Sequence, residues 1–204
     1  MKLYWSPRSP FVRKVMVFAH ETGLADRIER IATTVSMMQP NRDVMRANPL
    51  GKIPTLITDA GDALYDSSVI CEFLDGQHGG VKMFPAGGEP RWQALRRQAL
   101  ANNLMDALVL WRNERLRPPA QISSELMEAF ALKLHMTVAA LDREAAALAA
   151  APFSIAHIAI GCALGYADYR FGEQRWRDGH AAVARWYESF AARPSAQRTL
   201  PSDD

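Results

Sequence analysis

The 204-residue chain is 49% hydrophobic and 23% charged, with 24 Lys and Arg against 22 Asp and Glu. That balance allows one large or two small globular domains with a substantial core, and its dispersed, nearly neutralised cations exclude a polyanion-binding surface, so nothing points to nucleic acid. No apolar run reaches the ~18 residues of a membrane span, and the start MKLYWSPRSP lacks a signal peptide's apolar stretch, which together predict a cytoplasmic protein with no membrane partner.

In chain order, KLYW (2–5) reads as a short apolar strand. Val12, Val15, Met16 and Ala19 follow helical spacing, with Ser9 as N-cap, Pro10 at the first helical position and Gly23 as the stop. RIERIATTV (27–35) alternates as a second strand, completing a βαβ unit. PTLITDAGDALYD predicts two strands turning at Asp59 to Gly61, and DSSVICEFL predicts a capped helix. The order β-α-β then β-β-α is that of an α/β thioredoxin-like domain, assigned to residues 1–77.

The stretch DGQHGGVKMFPAGGEP (75–90) holds five glycines and two prolines in sixteen residues, which marks a linker over 78–89. Beyond it lies an all-α domain, 90–204, with no convincing strand. Leu126, Phe130, Leu134, Val138 and Leu141 repeat at helical spacing, as do Val183, Trp186, Tyr187 and Phe190. SIAHIAIGCALGY is apolar nearly all round, the mark of a central helix, with Ser154 as its N-cap.

Cys71 and Cys162 stand far apart without a CxxC pattern, which predicts buried thiols in a reducing compartment. The five histidines show no ligand spacing, so no metal is expected. Read by itself, Ser9 in SPRSPFVRKVMVF is a helix cap; the same cap also presents a hydroxyl and a helix N-terminus to an anion.

SPFVRKV, the block NPLGKIPTL (48–56), the helix start YDSSV (65–69), FSIAHIAI and the tail WYESFAARPSAQRT together resemble the glutathione S-transferase superfamily over the whole chain. Around the sulfur site the likeness is to bacterial serine-type members and to the tau and omega classes. The resemblance implies a cytoplasmic homodimer with glutathione as co-substrate. It implies that Ile53, before a cis Pro54, offers backbone groups to the cysteinyl part of glutathione. It implies that Ser67 holds the γ-glutamyl carboxylate, that Asp66, in place of the commoner Glu, meets the ammonium, and that Lys52 reaches the glycyl carboxylate.

The resemblance also gives Ser9 the catalytic role of stabilising the thiolate, with Ser6 as the competing hydroxyl, and serine in place of cysteine argues against mixed-disulfide chemistry. Arg8 and Arg13 flank that place, either as a local positive potential or as a solvated face. For a small hydrophobic electrophile the candidates are Phe11 and, on the first long helix of the second domain, Asn102, Asn103, Asp106, Leu110 and Trp111. A glutathione-dependent isomerase or dehalogenase shares the fold and the serine; a non-catalytic binding or regulatory relative is the third reading. Relatives commonly carry Asp where this chain has His157, so half of the capping box at Ser154 is expected to be lost and His157→Asp to stabilise the fold.

Overall fold

The computed structural model describes residues 1–203. Leu3 anchors strand β1 (Lys2–Trp5) in the core. Helix α1 (Pro10–Glu21) begins where Ser9 turns from extended backbone and accepts the Val12 N–H, and it ends beside Gly23, whose φ of +71° suits the left-handed stop. Its residues Val12 to Ala19 are all buried, including Arg13 and Lys14. Arg13 is therefore no part of a solvated face, whereas Arg8 is exposed.

Strand β2 (Glu29–Ala32) is shorter than the expected 27–35 because Ala25–Arg27 form a 3-10 turn ahead of it. A helix that the apolar pattern does not reveal, α2 (Arg42–Ala47), follows an Asn41 cap and buries only Val44, too little for a periodic signal. Strands β3 (Thr55–Ile57) and β4 (Ala63–Leu64) form the expected hairpin, with Gly61 at φ +92° in its turn. Helix α3 (Ser67–Asp75) packs against α1.

The sheet order is β2-β1-β3-β4, with β1 and β2 parallel and the other pairs antiparallel. Tyr4 lies opposite Thr55, and Leu56 opposite Leu64. This register brings the C-terminal end of β1, the N-terminal end of β3 and the C-terminal end of β4 to one edge of the sheet. The segments that leave or enter there carry Ser9, Ile53–Pro54 and Asp66–Ser67.

The glycine-rich stretch after α3 is organised by one carboxylate. Asp75, 6% exposed, accepts the N–H groups of Met83 (2.9 Å) and Phe84 (3.2 Å), and His78 Nε2 lies 3.1 Å from the same group. A buried carboxylate with several donors fixes the chain around it.

The chain divides into two compact units, one of Met1–Ala86 joined by the segment from Pro194 onward, the other of Gly87–Arg193. That segment, expected within the helical domain, instead packs its short helix α8 (Pro194–Gln197) on α1. Arg13 Nη2 donates to the Ala196 carbonyl, and the Ser195 hydroxyl donates to Glu21.

The second unit is helical: α4 (Gly88–Arg115), α5 (Ser124–Ala150), α6 (Ile155–Phe171) and α7 (Ala181–Ala191). Every residue of α6 from Ile155 to Ala167 is buried, as its all-round apolarity predicts. Gly161 lets α7 approach, since a Cβ there would lie 2.3 Å from the Phe190 ring. The buried stripe of α5 runs Phe130, Leu134, Val138, Leu141, Ala145 and Leu148; Leu126, expected in it, is 39% exposed on the first turn.

Candidate functional site

Two helix starts and one strand entry define the candidate site at the sheet edge. At α1, Ser9 Oγ accepts the Val12 N–H at 3.3 Å, and no described residue takes the hydroxyl proton in return. A hydroxyl caps through a lone pair and keeps its proton for a second acceptor. Ser6 Oγ lies against the Arg8 N–H, outside the helix.

The strand entry is the block 48–55. Asn48, 3% exposed, donates to the Lys52 carbonyl and to Thr55 Oγ1, both at 3.1 Å, and accepts the Leu50 N–H. Thr55 Oγ1 also donates to the Lys52 carbonyl at 2.8 Å. Gly51, at φ +61°, closes the turn by donating to the Asn48 carbonyl. These bonds fix the backbone that leads into Ile53 and Pro54; the peptide bond between them is cis, both residues are buried, and the Lys52 side chain is exposed.

At α3, Asp66 caps the helix by accepting the Ser68 N–H at 2.8 Å. Ser67 follows at the first helical position, 1% exposed, and its Oγ has no hydrogen-bond partner among the described residues. Buried hydroxyls are almost always paired, and an unpaired one costs about 1–3 kcal/mol. The arrangement at this edge is therefore a rigid backbone turn, a capped helix with a spare hydroxyl proton, and a second helix start with an orphaned hydroxyl.

Residues 8–77 match the family description "Glutathione S-transferase, N-terminal domain", and residues 124–189 match "Glutathione S-transferase, C-terminal domain". The chain is 30% identical to the uncharacterized GST-like protein YibF of Escherichia coli (strain K12), over 98% of each chain. It belongs to the glutathione S-transferase superfamily. Among solved glutathione S-transferase structures it resembles a glutathione transferase family member from Pseudomonas fluorescens Pf-5 with bound glutathione, at 42% identity, TM-score 0.96 and 98% coverage of both chains. It also resembles a glutathione S-transferase from Methylobacillus flagellatus KT with GSH bound, at 34% identity and TM-score 0.88, over 98% of this chain and 99% of that one. The thioredoxin-like first unit with its four-stranded mixed sheet and the helical second unit are the glutathione S-transferase fold.

The residues suggested for a second substrate do not all share a face of α4. Asn103, Asp106 and Leu110 are exposed along one strip, with Asn102 half-buried beside it. Trp111 lies on the other side: at 2% exposed it stacks on Phe171, with centroids 4.4 Å apart, and on Phe130. It is a core residue of the second unit, because Leu104, Leu108 and Trp111 follow the buried period of the helix. Phe11 is half-buried on α1.

His157 also departs from expectation. Its Nδ1 accepts the Ser154 N–H at 3.1 Å, and its Nε2 lies 2.9 Å from the Leu148 carbonyl, to which it donates as the Nε2–H tautomer. The glutathione S-transferase capping box is thus complete with a neutral imidazole as its acceptor, and the ring also packs near Phe153 and Trp186. Burial holds the imidazole pKa below its ordinary value; Arg97 and Arg193 push the same way, against the bond to Leu148.

Asn48 and Thr55, which belong to the block NPLGKIPTL but receive no role from the sequence, position the turn. Among the described residues no group of three His, Cys, Asp or Glu side chains is arranged to hold a metal ion, and no helix is long and apolar enough to cross a membrane.

Proposed function

We propose that this protein is a glutathione transferase whose first unit holds the tripeptide at the starts of α1 and α3 and along the Ile53–Pro54 edge. In this reading Ser9 stabilises the thiolate for attack on small hydrophobic electrophiles. The observation that carries the reading is the buried hydroxyl of Ser67, without a partner among the described residues, at the start of a nine-residue helix. A carboxylate there satisfies the hydroxyl and meets the positive end of the helix dipole. Asp66 caps with one lone pair, and the remaining acceptor sites of a carboxylate suffice for the ligand ammonium. Solved relatives with bound glutathione support glutathione as the ligand.

The chemistry follows from the thiolate being the nucleophile. A free thiol has a pKa of about 8.5, so lowering it by about two units requires ~2.7 kcal/mol in favour of the anion. A hydrogen bond to a charged group supplies roughly 1.5–3 kcal/mol, and a helix N-terminus about 0.3–2. Ser9 together with α1 is sufficient, and no general base is needed. The sulfur lone pair forms the new carbon–sulfur bond, the leaving group departs with its bonding electrons, and the Ser9 proton stays on its oxygen. Lys52 is assigned to the glycyl carboxylate, and the protein to the cytoplasm as a homodimer.

The test is turnover of glutathione with aryl halides, isothiocyanates, maleylacetoacetate and peroxides, alongside sedimentation of the full chain. Ser9→Ala is expected to lower kcat/KM with a reactive aryl halide by roughly 10- to 150-fold, the loss of one charge-assisted hydrogen bond, and to raise the apparent pKa of the bound thiol. Unchanged rate and thiol pKa in Ser9→Ala would remove Ser9 from the mechanism.

A further inference from the structure

A small cleft of about 60 Å³ lies on the first unit between the β1–α1 loop, the outer flank of α1 and the segment after α8. None of Ser9, Lys52, Ile53, Pro54, Asp66 or Ser67 lines it. Four basic side chains do: Arg13, His20, Arg30 and Arg198. Arg13 is 5% exposed; its Nη2 reaches the Ala196 carbonyl at a long 3.4 Å, while Nε and Nη1 are buried with no hydrogen-bond partner among the described residues. Among the described residues none of the four forms an ion pair. Elsewhere in the chain Arg96, Arg97, Arg115 and Arg177 meet carboxylates at 2.6–2.9 Å.

A buried guanidinium without a counter-charge is costly, and a guanidinium fork matches the geometry of an oxyanion. We infer that this cleft binds a compact tetrahedral oxyanion of the phosphate–sulfate class, held by Arg13 from below and by Arg30 and Arg198 at its rim. The space suits a few waters or one such ion and is too small for a tripeptide. Ser6 also lines the cleft and its hydroxyl proton has no acceptor among the described residues, so it is a further donor. Arg30 lies 5.1 Å over the Trp5 ring, which braces it at the rim.

The charges nearby agree with an anion site. The pKa of His20 is lowered first by burial and then by Arg198 and Arg30, with Asp26 and Glu21 opposing. The acid on α1, Glu21, is engaged by the Ser195 hydroxyl, and neither it nor Asp26 lines the cleft.

The inference is independent of the glutathione assignment and is tested on the full chain without glutathione. Sodium phosphate and sodium sulfate are titrated against sodium chloride at matched ionic strength, reading the melting temperature and the pH titration of His20 by NMR. The expected result is a saturable rise in melting temperature with phosphate or sulfate beyond chloride, an upward shift of the His20 pKa, and about tenfold weaker binding in Arg198→Gln and in Arg30→Gln. Both variants replace exposed side chains, so the fold is retained. Ser67→Ala is expected to leave the phosphate response unchanged. Indistinguishable curves in phosphate, sulfate and chloride would overturn the inference, as would a phosphate response that Ser67→Ala abolishes and Arg198→Gln does not.

Discussion

The starts of α3 and α6 each hold a buried serine, and the two finish differently. At α6, Ser154 and His157 pair with each other, and the His157 Nε2–H donates to the Leu148 carbonyl. At α3, Asp66 caps the Ser68 N–H while the next residue, Ser67, is equally buried and holds a hydroxyl that no described residue hydrogen-bonds. A cap that satisfies its buried polar groups stabilises a fold; one that leaves a buried group open is arranged around something the protein binds. Sequence motifs alone do not separate the two, because Ser next to a helix reads as a cap in both places.

The contrast breaks most readily at Ser67. Replacing it with Ala is expected to weaken glutathione binding by roughly 10- to 150-fold, as measured by calorimetry, because a charge-assisted bond is lost. The melting temperature of the ligand-free protein should stay the same or rise, since the hydroxyl makes no bond to lose. The reverse pattern is expected of His157→Asp, which removes the bond to Leu148 and puts a carboxylate against aromatic rings. It should destabilise by about 1–3 kcal/mol in thermal melts and leave glutathione affinity unchanged, contrary to the stabilisation that the sequence suggested.

The smallest effect is one of pH. The folded pKa of His157 lies below its unfolded value of about 6.5, so the unfolded chain takes the proton first. The stability contributed by the neutral ring is therefore fully present above about pH 6.5 and is lost as pH falls through the folded value. Melting curves of His157→Gln, which keeps an acceptor for the Ser154 N–H and does not titrate, should fall less steeply below that pH than those of the wild type. His20, lowered in the same direction, gives both proteins a common background slope.

Much of this was legible in the chain itself. The strand and helix order of the first unit follows from alternation and caps, and the central helix α6 follows from its unbroken apolarity, since these depend on local pattern. The helix α2, with one buried residue, gave no pattern to read. The return of the segment from Pro194 to the first unit rests on buried Arg13 and on Ser195 with Glu21, contacts across more than 170 positions that no window senses. Trp111 was misplaced because an aromatic residue on an amphipathic helix looks the same whether it lines a site or fills a core. His157 was misread because the sequence shows a missing carboxylate and conceals the carbonyl of Leu148 that a two-sided imidazole reaches. Ser9, Ile53 and Ser67 were singled out by motif, whereas the orphaned state of the Ser67 hydroxyl emerges only from the packing.

Amide NMR of the full chain titrated with glutathione tests the central claim most directly. Saturable shifts are expected at millimolar ligand or below, largest at Ile53, Ser67 and Ser68 and at the first turn of α1, with the amides of Ser154 and His157 still. An absence of saturable shifts, or shifts centred on the start of α6 with those of α3 unmoved, would contradict it.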